Sequence, residues 1–120
     1  MNKRIKDCFS KLSKKNKKAL ITFLTAGDPN FNLSSELIKE LPSAGADIIE
    51  IGMPFSDPMA DGPAIQASSL RAIKAGHTMQ NTFEIISSFR KDNTITPIIL
   101  MGYFNLIYQN GENNFLKSCK

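Results

Sequence analysis

Three strand-length runs dominated by apolar residues constrain this chain more than anything else in it: Ala19 to Leu24, Asp47 to Ile51 and Thr96 to Gly102. A strand with one wet face alternates polar and apolar side chains, whereas a strand covered on both faces is apolar almost throughout. Between the runs lie segments whose apolar residues recur at helical spacing. Strand, helix, strand in that order demands parallel neighbours joined by right-handed crossovers, so the fold class is α/β with a parallel sheet.

The helices carry their own boundary signals. An amphipathic helix is expected over residues 2–15, with Ile5, Phe9 and Leu12 at helical spacing and residues 14–18 as a polar connector. After the first strand, Thr25-Ala26-Gly27-Asp28-Pro29 is a turn. The helix that follows places Leu33, Leu37, Ile38 and Leu41 on one face, takes a cap at Asn32 or Ser34, and ends at Pro42, with Gly45 closing the segment. Pro63 suits the first turn of the next helix, which Gly76 stops near Ala75. Thr78 caps another, with Met79, Phe83, Ile86 and Phe89 inward. Residues 105–108 read as a helical turn broken by Gly111, and a last helix begins at Glu112 with Phe115, Leu116 and Cys119 on one side. Three strands are too few for a closed barrel, which takes about 250 residues. Residues 1–120 are therefore expected to be the N-terminal, incomplete part of a single (β/α)8 TIM-barrel domain: its first three βα units plus an N-terminal helix.

Composition narrows the function classes. With 42% hydrophobic residues in 120, the chain has the material for a core. No apolar run approaches the roughly 18 residues that span a bilayer, and the basic N-terminus lacks the apolar stretch of a signal peptide. A soluble, cytoplasmic protein with no membrane partner is the expectation. Cys8 and Cys119 lie far apart without metal-like spacing and are expected to be reduced packing residues, with no metal site. The net charge of +4 is unevenly spread: residues 1–18 hold eight bases and one acid, the remaining residues seven bases and ten acids. Among those N-terminal bases Ile5, Phe9 and Leu12 recur at helical spacing, which assigns the one aromatic there to an apolar stripe rather than to a surface that stacks on bases. They read as the wet face of a helix, and no nucleic-acid partner is expected.

The chemistry concentrates in Glu50-Ile51-Gly52-Met53-Pro54-Phe55-Ser56-Asp57-Pro58-Met59-Ala60-Asp61-Gly62-Pro63. In parallel α/β folds ligands sit beyond the carboxyl ends of the strands. Glu50 is near that end of the second strand, and Asp57 and Asp61 are on the loop that follows. An ionisable Glu between two isoleucines is costly to bury unpaired, so it needs a role. Partly apolar surroundings suit a general acid or base that both gives and takes a proton. Asp61, on a Gly-flanked and more solvated loop, suits holding an N–H or stabilising a developing positive charge, and such a division of labour between two carboxylates has precedent. The alternative is that Asp57 and Asp61 merely form turns beside Pro58 and Gly62, and that Glu50 pairs with a lysine. Lys39 and Lys74 sit on helices rather than at strand ends, so a Schiff-base lysine is not evident.

Residues 50–66 are similar, nearly position by position, to the signature of the tryptophan synthase alpha chain family. Phe23 to Pro29 resembles that family's first strand and turn, Ala44-Gly45-Ala46-Asp47 its entry to the second strand, and Met101-Gly102-Tyr103-Phe104-Asn105-Leu106 its third strand and loop. The resemblance covers the whole chain. It implies a lyase of tryptophan biosynthesis that cleaves indole-3-glycerol phosphate to indole and glyceraldehyde 3-phosphate by a retro-aldol reaction. By matching position, Glu50 would be the acid/base and Asp61 the carboxylate on the ring N–H. Phe23, Tyr103 and Met101 would help to line the indole pocket. Pro54, Phe55, Asp57, Pro58 and Asn105 would face the tryptophan synthase beta chain in an alpha2beta2 tetramer. That partner uses pyridoxal phosphate; the alpha chain itself uses no cofactor or metal.

The family's phosphate-binding loops belong to the later half of its barrel, so these residues alone are expected to be inactive. His77, the only histidine, matches no catalytic position and reads as a surface residue. A second reading is a truncated or degenerate alpha chain that acts only as a binding partner of a beta chain. A third is another phosphosugar barrel enzyme, disfavoured by how closely the acid loop matches one family.

Overall fold

The computed structural model describes residues 2–120. Its elements run α1 (Lys3–Lys14), β1 (Ile21–Thr25), α2 (Phe31–Glu40), β2 (Ile48–Gly52), α3 (Pro63–Lys74), α4 (Met79–Asp92), β3 (Ile98–Met101), α5 (Phe104–Asn110) and α6 (Glu112–Ser118). The strands form one parallel sheet in the order β1-β2-β3. The α/β class expected from the apolar runs is the observed one, and the expected helices are present.

Ile49 and Ile51 of β2 are fully buried against Ala26, Ala46, Ile38 of α2, and Ile85 and Phe89 of α4. Leu24, Ile98 and Leu100 of the flanking strands pack on the same cluster. Burying each such side chain contributes about 1.5–3 kcal/mol, so this cluster ties the helices to one side of the sheet. At the strands' amino ends, α1 is held to the segments that lead into β2 and β3. Its Cys8 thiol donates to Asp47 O at 3.6 Å and Arg4 Nε to Thr94 O at 2.7 Å. Its lysines are exposed, as the wet-face reading requires.

Several side chains differ from the expected pattern. The α2 cap is Asn30, whose side chain accepts from the Leu33 N–H at 3.0 Å, rather than Asn32 or Ser34. Ser34 is inside the helix and buried, its hydroxyl accepting from the Gly27 N–H at 3.0 Å. The inward stripe of α2 is therefore Ser34, Ile38 and Leu41, leaving Leu33 and Leu37 exposed at 41% and 47%. On α4 the deepest residues are Thr82, Ile85 and Phe89. Phe115 of α6 is buried with its ring 5.7 Å from that of Phe83, whereas Leu116 and Cys119 are exposed. On α1 the half-buried stripe is Ile5, Cys8 and Leu12, and Phe9 is exposed. Pro63 at the start of α3 and the Thr78–Asn81 capping box of α4 match the sequence signals.

His77 is not the free surface residue that the sequence implied. Its ring lies over Gly27 in the β1–α2 turn, and its Nε2 shares a hydrogen bond with Thr82 Oγ1 at 2.9 Å. Gly27 has a φ of 78°, and a Cβ there would overlap the imidazole, so the position requires glycine twice over. His77 Nδ1 is buried with no partner among the described residues, and burial pushes the imidazole pKa below its ordinary 6.5.

Gly27→Ala should cost about 3 kcal/mol, the sum of left-handed strain and overpacking, read as a lowered urea midpoint. For His77 the neutral form is the one the fold prefers, because the depressed pKa means that the unfolded chain binds the proton better. Its contribution to stability should be complete above about pH 6.5 and decline as the pH falls from there through the folded pKa. Thermal midpoints of His77→Gln between pH 7.5 and 5, as about the range over which histidine titrates, should show a flatter profile than the parent.

Candidate active site

Alternation along β2 decides which way the acid points. With Ile49 and Ile51 committed to the helix layer, Ile48, Glu50 and Gly52 present the opposite face. The register places Phe23 of β1 and Ile99 of β3 beside Glu50, and Thr25 and Met101 beside Gly52. Phe23, Glu50 and Met101 thus share the face away from the helices, toward the strands' carboxyl ends. Gly52 makes this arrangement possible, because a Cβ there would lie 2.6 Å from Phe23 Cζ. A glycine inside a strand signals such a close approach, and that signal was available in the sequence.

Glu50 is half-buried. The ion pairs among the described residues join Lys39 to Asp92 at 3.9 Å and Arg71 to Asp28 at 2.7 Å, and neither involves Glu50. Pairing with a lysine does not account for its presence in the strand. It stands on a face beside an aromatic ring, and its carboxylate makes no hydrogen bond among the described residues.

The loop after β2 arches over the carboxyl ends. The Met53 N–H bonds to Met101 O at 2.8 Å, prolonging the β2–β3 contact by one residue, and Gly102 lets the Met53 side chain approach to 2.7 Å of where a Cβ would stand. Asp57 is exposed at the turn, accepting from Ser56 Oγ at 2.7 Å while its carbonyl accepts from the Met59 N–H. This is what a turn-shaping role predicts. Asp61 is half-buried at the far end of the arch, its N–H bonded to Pro58 O at 3.1 Å and its carbonyl accepting from Gln66 Nε2 at 2.8 Å.

Contacts that the sequence did not announce fix both feet of this arch. Tyr103 accepts from the Ala60 N–H at 2.8 Å, and its ring centroid is 5.1 Å from that of Phe55. On the other side, α3 is fastened to the end of β1 by Thr25 Oγ1 and Ser68 Oγ at 2.6 Å and by a two-pronged pair from Arg71 to Asp28 at 2.7 and 2.8 Å. Pro54, Phe55 and Pro58 are half-buried, and Asn105 is exposed on the first turn of α5. Among the described residues no group of three or more His, Cys, Asp or Glu converges as a metal set would. No helix among them is long and apolar enough to cross a membrane.

A parallel sheet with helices on one side, a carboxylate on the other and an acid-bearing loop above the carboxyl ends is the N-terminal part of a TIM-barrel scaffold of the kind that carries enzymes. Residues 9–120 match the family model of the tryptophan synthase alpha chain, and the chain belongs to that family. It superposes on the tryptophan synthase subunit alpha from Legionella pneumophila str. Paris with a TM-score of 0.94 at 43% identity, over 98% of this chain and 45% of that one. A tryptophan synthase from M. tuberculosis, in its aminoacrylate-bound form, gives a TM-score of 0.88 at 28% identity over 98% and 47%. The chain thus spans about 45% of the length of the first of these relatives.

Gly52→Ala should displace the Phe23 ring and cost about 1–3 kcal/mol by overpacking. In a Phe23→Ala background the same change should cost much less. A double-mutant cycle on urea midpoints measures the difference.

Proposed function

We propose that this chain supplies the proton-transfer part of a lyase site for the retro-aldol cleavage of indole-3-glycerol phosphate to indole and glyceraldehyde 3-phosphate, in tryptophan biosynthesis. The observation that carries the proposal is Glu50, a half-buried carboxylate with no cation partner among the described residues, on the open face of the sheet beside the Phe23 ring. Membership of the tryptophan synthase alpha chain family supports it.

The reaction makes three demands. The indole ring carbon that bears the side chain must gain a proton, the neighbouring glycerol hydroxyl must lose one, and the positive charge that develops on the protonated ring must be stabilised. Glu50 gives and takes the protons as general acid and base. As the carbon–carbon bond breaks, its electron pair returns to the ring, and the hydroxyl oxygen becomes the aldehyde carbonyl. Asp61 accepts a hydrogen bond from the ring N–H, and its negative charge favours the cationic state. Phe23 and Met101 offer apolar and aromatic surface to the indole, and Tyr103 lines the same end of the sheet. Phosphate is held by other parts of the barrel.

Pro54, Phe55, Asp57, Pro58 and Asn105 form the surface turned to a beta chain, which receives the indole for condensation with serine. Pyridoxal phosphate belongs to that partner, and an alpha2beta2 assembly in the cytoplasm completes the proposal.

The test uses a complete barrel in which residues 1–120 replace the matched portion of the Legionella pneumophila subunit, assembled with that organism's beta chain. Glu50→Gln and Asp61→Asn should each lower indole release by about 100-fold or more, with unchanged circular dichroism. Near-parental turnover in either variant overturns the assignment. Activation of the beta chain without any indole release would instead mark a binding-only alpha chain.

A further inference from the structure

We infer that Tyr103 is a positioning residue for Asp61, acting through its hydroxyl on the loop backbone; this rests on Asp61 being the carboxylate that binds the ring N–H. Tyr103 follows the end of β3 by two residues and precedes the first residue of α5, so its backbone is anchored on both sides. Its side chain meets the loop at two points, the Phe55 ring at 5.1 Å and the Ala60 N–H at 2.8 Å. These points lie on either side of the exposed stretch that holds Ser56, Asp57 and Met59. Among the described residues, the Ala60–Tyr103 bond is the one hydrogen bond that joins residues 54–60 to a part of the chain outside the β2–α3 loop.

Ala60 immediately precedes Asp61, and on the other side Gln66 of α3 holds the Asp61 carbonyl. The peptide that carries the carboxylate is thus clamped from both directions, by the third strand's loop upstream and by α3 downstream. The hydroxyl accepts from a backbone N–H and makes no bond to the Asp61 carboxylate among the described residues, so its effect is on where Asp61 stands. Small misplacements of a charged group cost rate steeply.

Tyr103→Phe keeps the ring against Phe55 and removes only the acceptor. In the complete chimeric barrel with its beta chain, kcat for indole release should fall about tenfold with KM nearly unchanged. In an Asp61→Asn background the same substitution should cost nothing further, whereas a merely structural role would add its loss in both backgrounds. Exchange of the Ala60 amide, followed without substrate on the folded barrel or on the chain, gives a readout independent of turnover. It should quicken in Tyr103→Phe while the Ile49 and Ile51 amides hold their protection. Additive losses, an unchanged kcat or unchanged Ala60 exchange would each overturn the inference. If Asp61→Asn itself retains turnover, the functional proposal fails first. Loss of turnover in Asp61→Asn with none in Tyr103→Phe removes the positioning role alone.

Discussion

The burial of Ile49 and Ile51 is the constraint on which the rest of the structure depends. Both are fully covered by side chains of α2 and α4, and between them stands a glutamate. A one-residue slip of β2 would turn both isoleucines to the opposite face and drive Glu50 into an apolar cluster that holds no partner for it. The cost of burying a carboxylate that way runs to several kcal/mol, on the order of the stability of a small domain. The register that aims Glu50 away from the helices is therefore the one that the core enforces. Packing and chemistry are two consequences of the same alternation.

Glycines then shape the space around that acid. Gly52 leaves room for Phe23 to lie across β2, and Gly102 does the same for Met53 under the loop. Neither has an unusual backbone requirement of the kind seen at Gly27; their contribution is the absent side chain. The loop runs from the end of β2 to the start of α3, and the contacts that steady it come from opposite sides. Tyr103 belongs to the loop after β3, whereas Thr25, the last residue of β1, and Asp28, in the turn that follows it, fasten α3. Asp61 is consequently held between the loop after β3 and α3, although it lies on no regular element itself.

Much of this was legible in the residues. The apolar runs defined a parallel sheet, Pro63 and Thr78 marked helix starts, and the acid inside the Ile48 to Ile51 run stood out as the one charged residue of its strand. Gly52 also carried a signal, since a glycine inside a strand reports a close approach. The face of α2 was harder. Leu33 and Leu37 have the apolar character and spacing of a buried stripe, yet Ser34 and Ile38 are the residues inside, because the Ser34 hydroxyl is held by the Gly27 N–H. Hydrophobicity ranks side chains and does not register a hydrogen bond made to a turn seven residues away. His77 shows the same limit: nothing local links it to Gly27, and only the packing of the α3–α4 connection against the β1–α2 turn brings them together.

The α/β class, the order of strands and helices and the family resemblance follow from the residues alone, because each of these is written in local periodicity or in a contiguous motif. Tertiary structure alone decided that Phe23, Glu50 and Met101 share a face, that Tyr103 holds Ala60, and that Arg71 and Ser68 fasten α3 to the end of β1. Those pairings join residues more than twenty positions apart. Their geometry is set by strand register and by the crossing of helices over the sheet, which exist only once the core around Ile49 and Ile51 has formed.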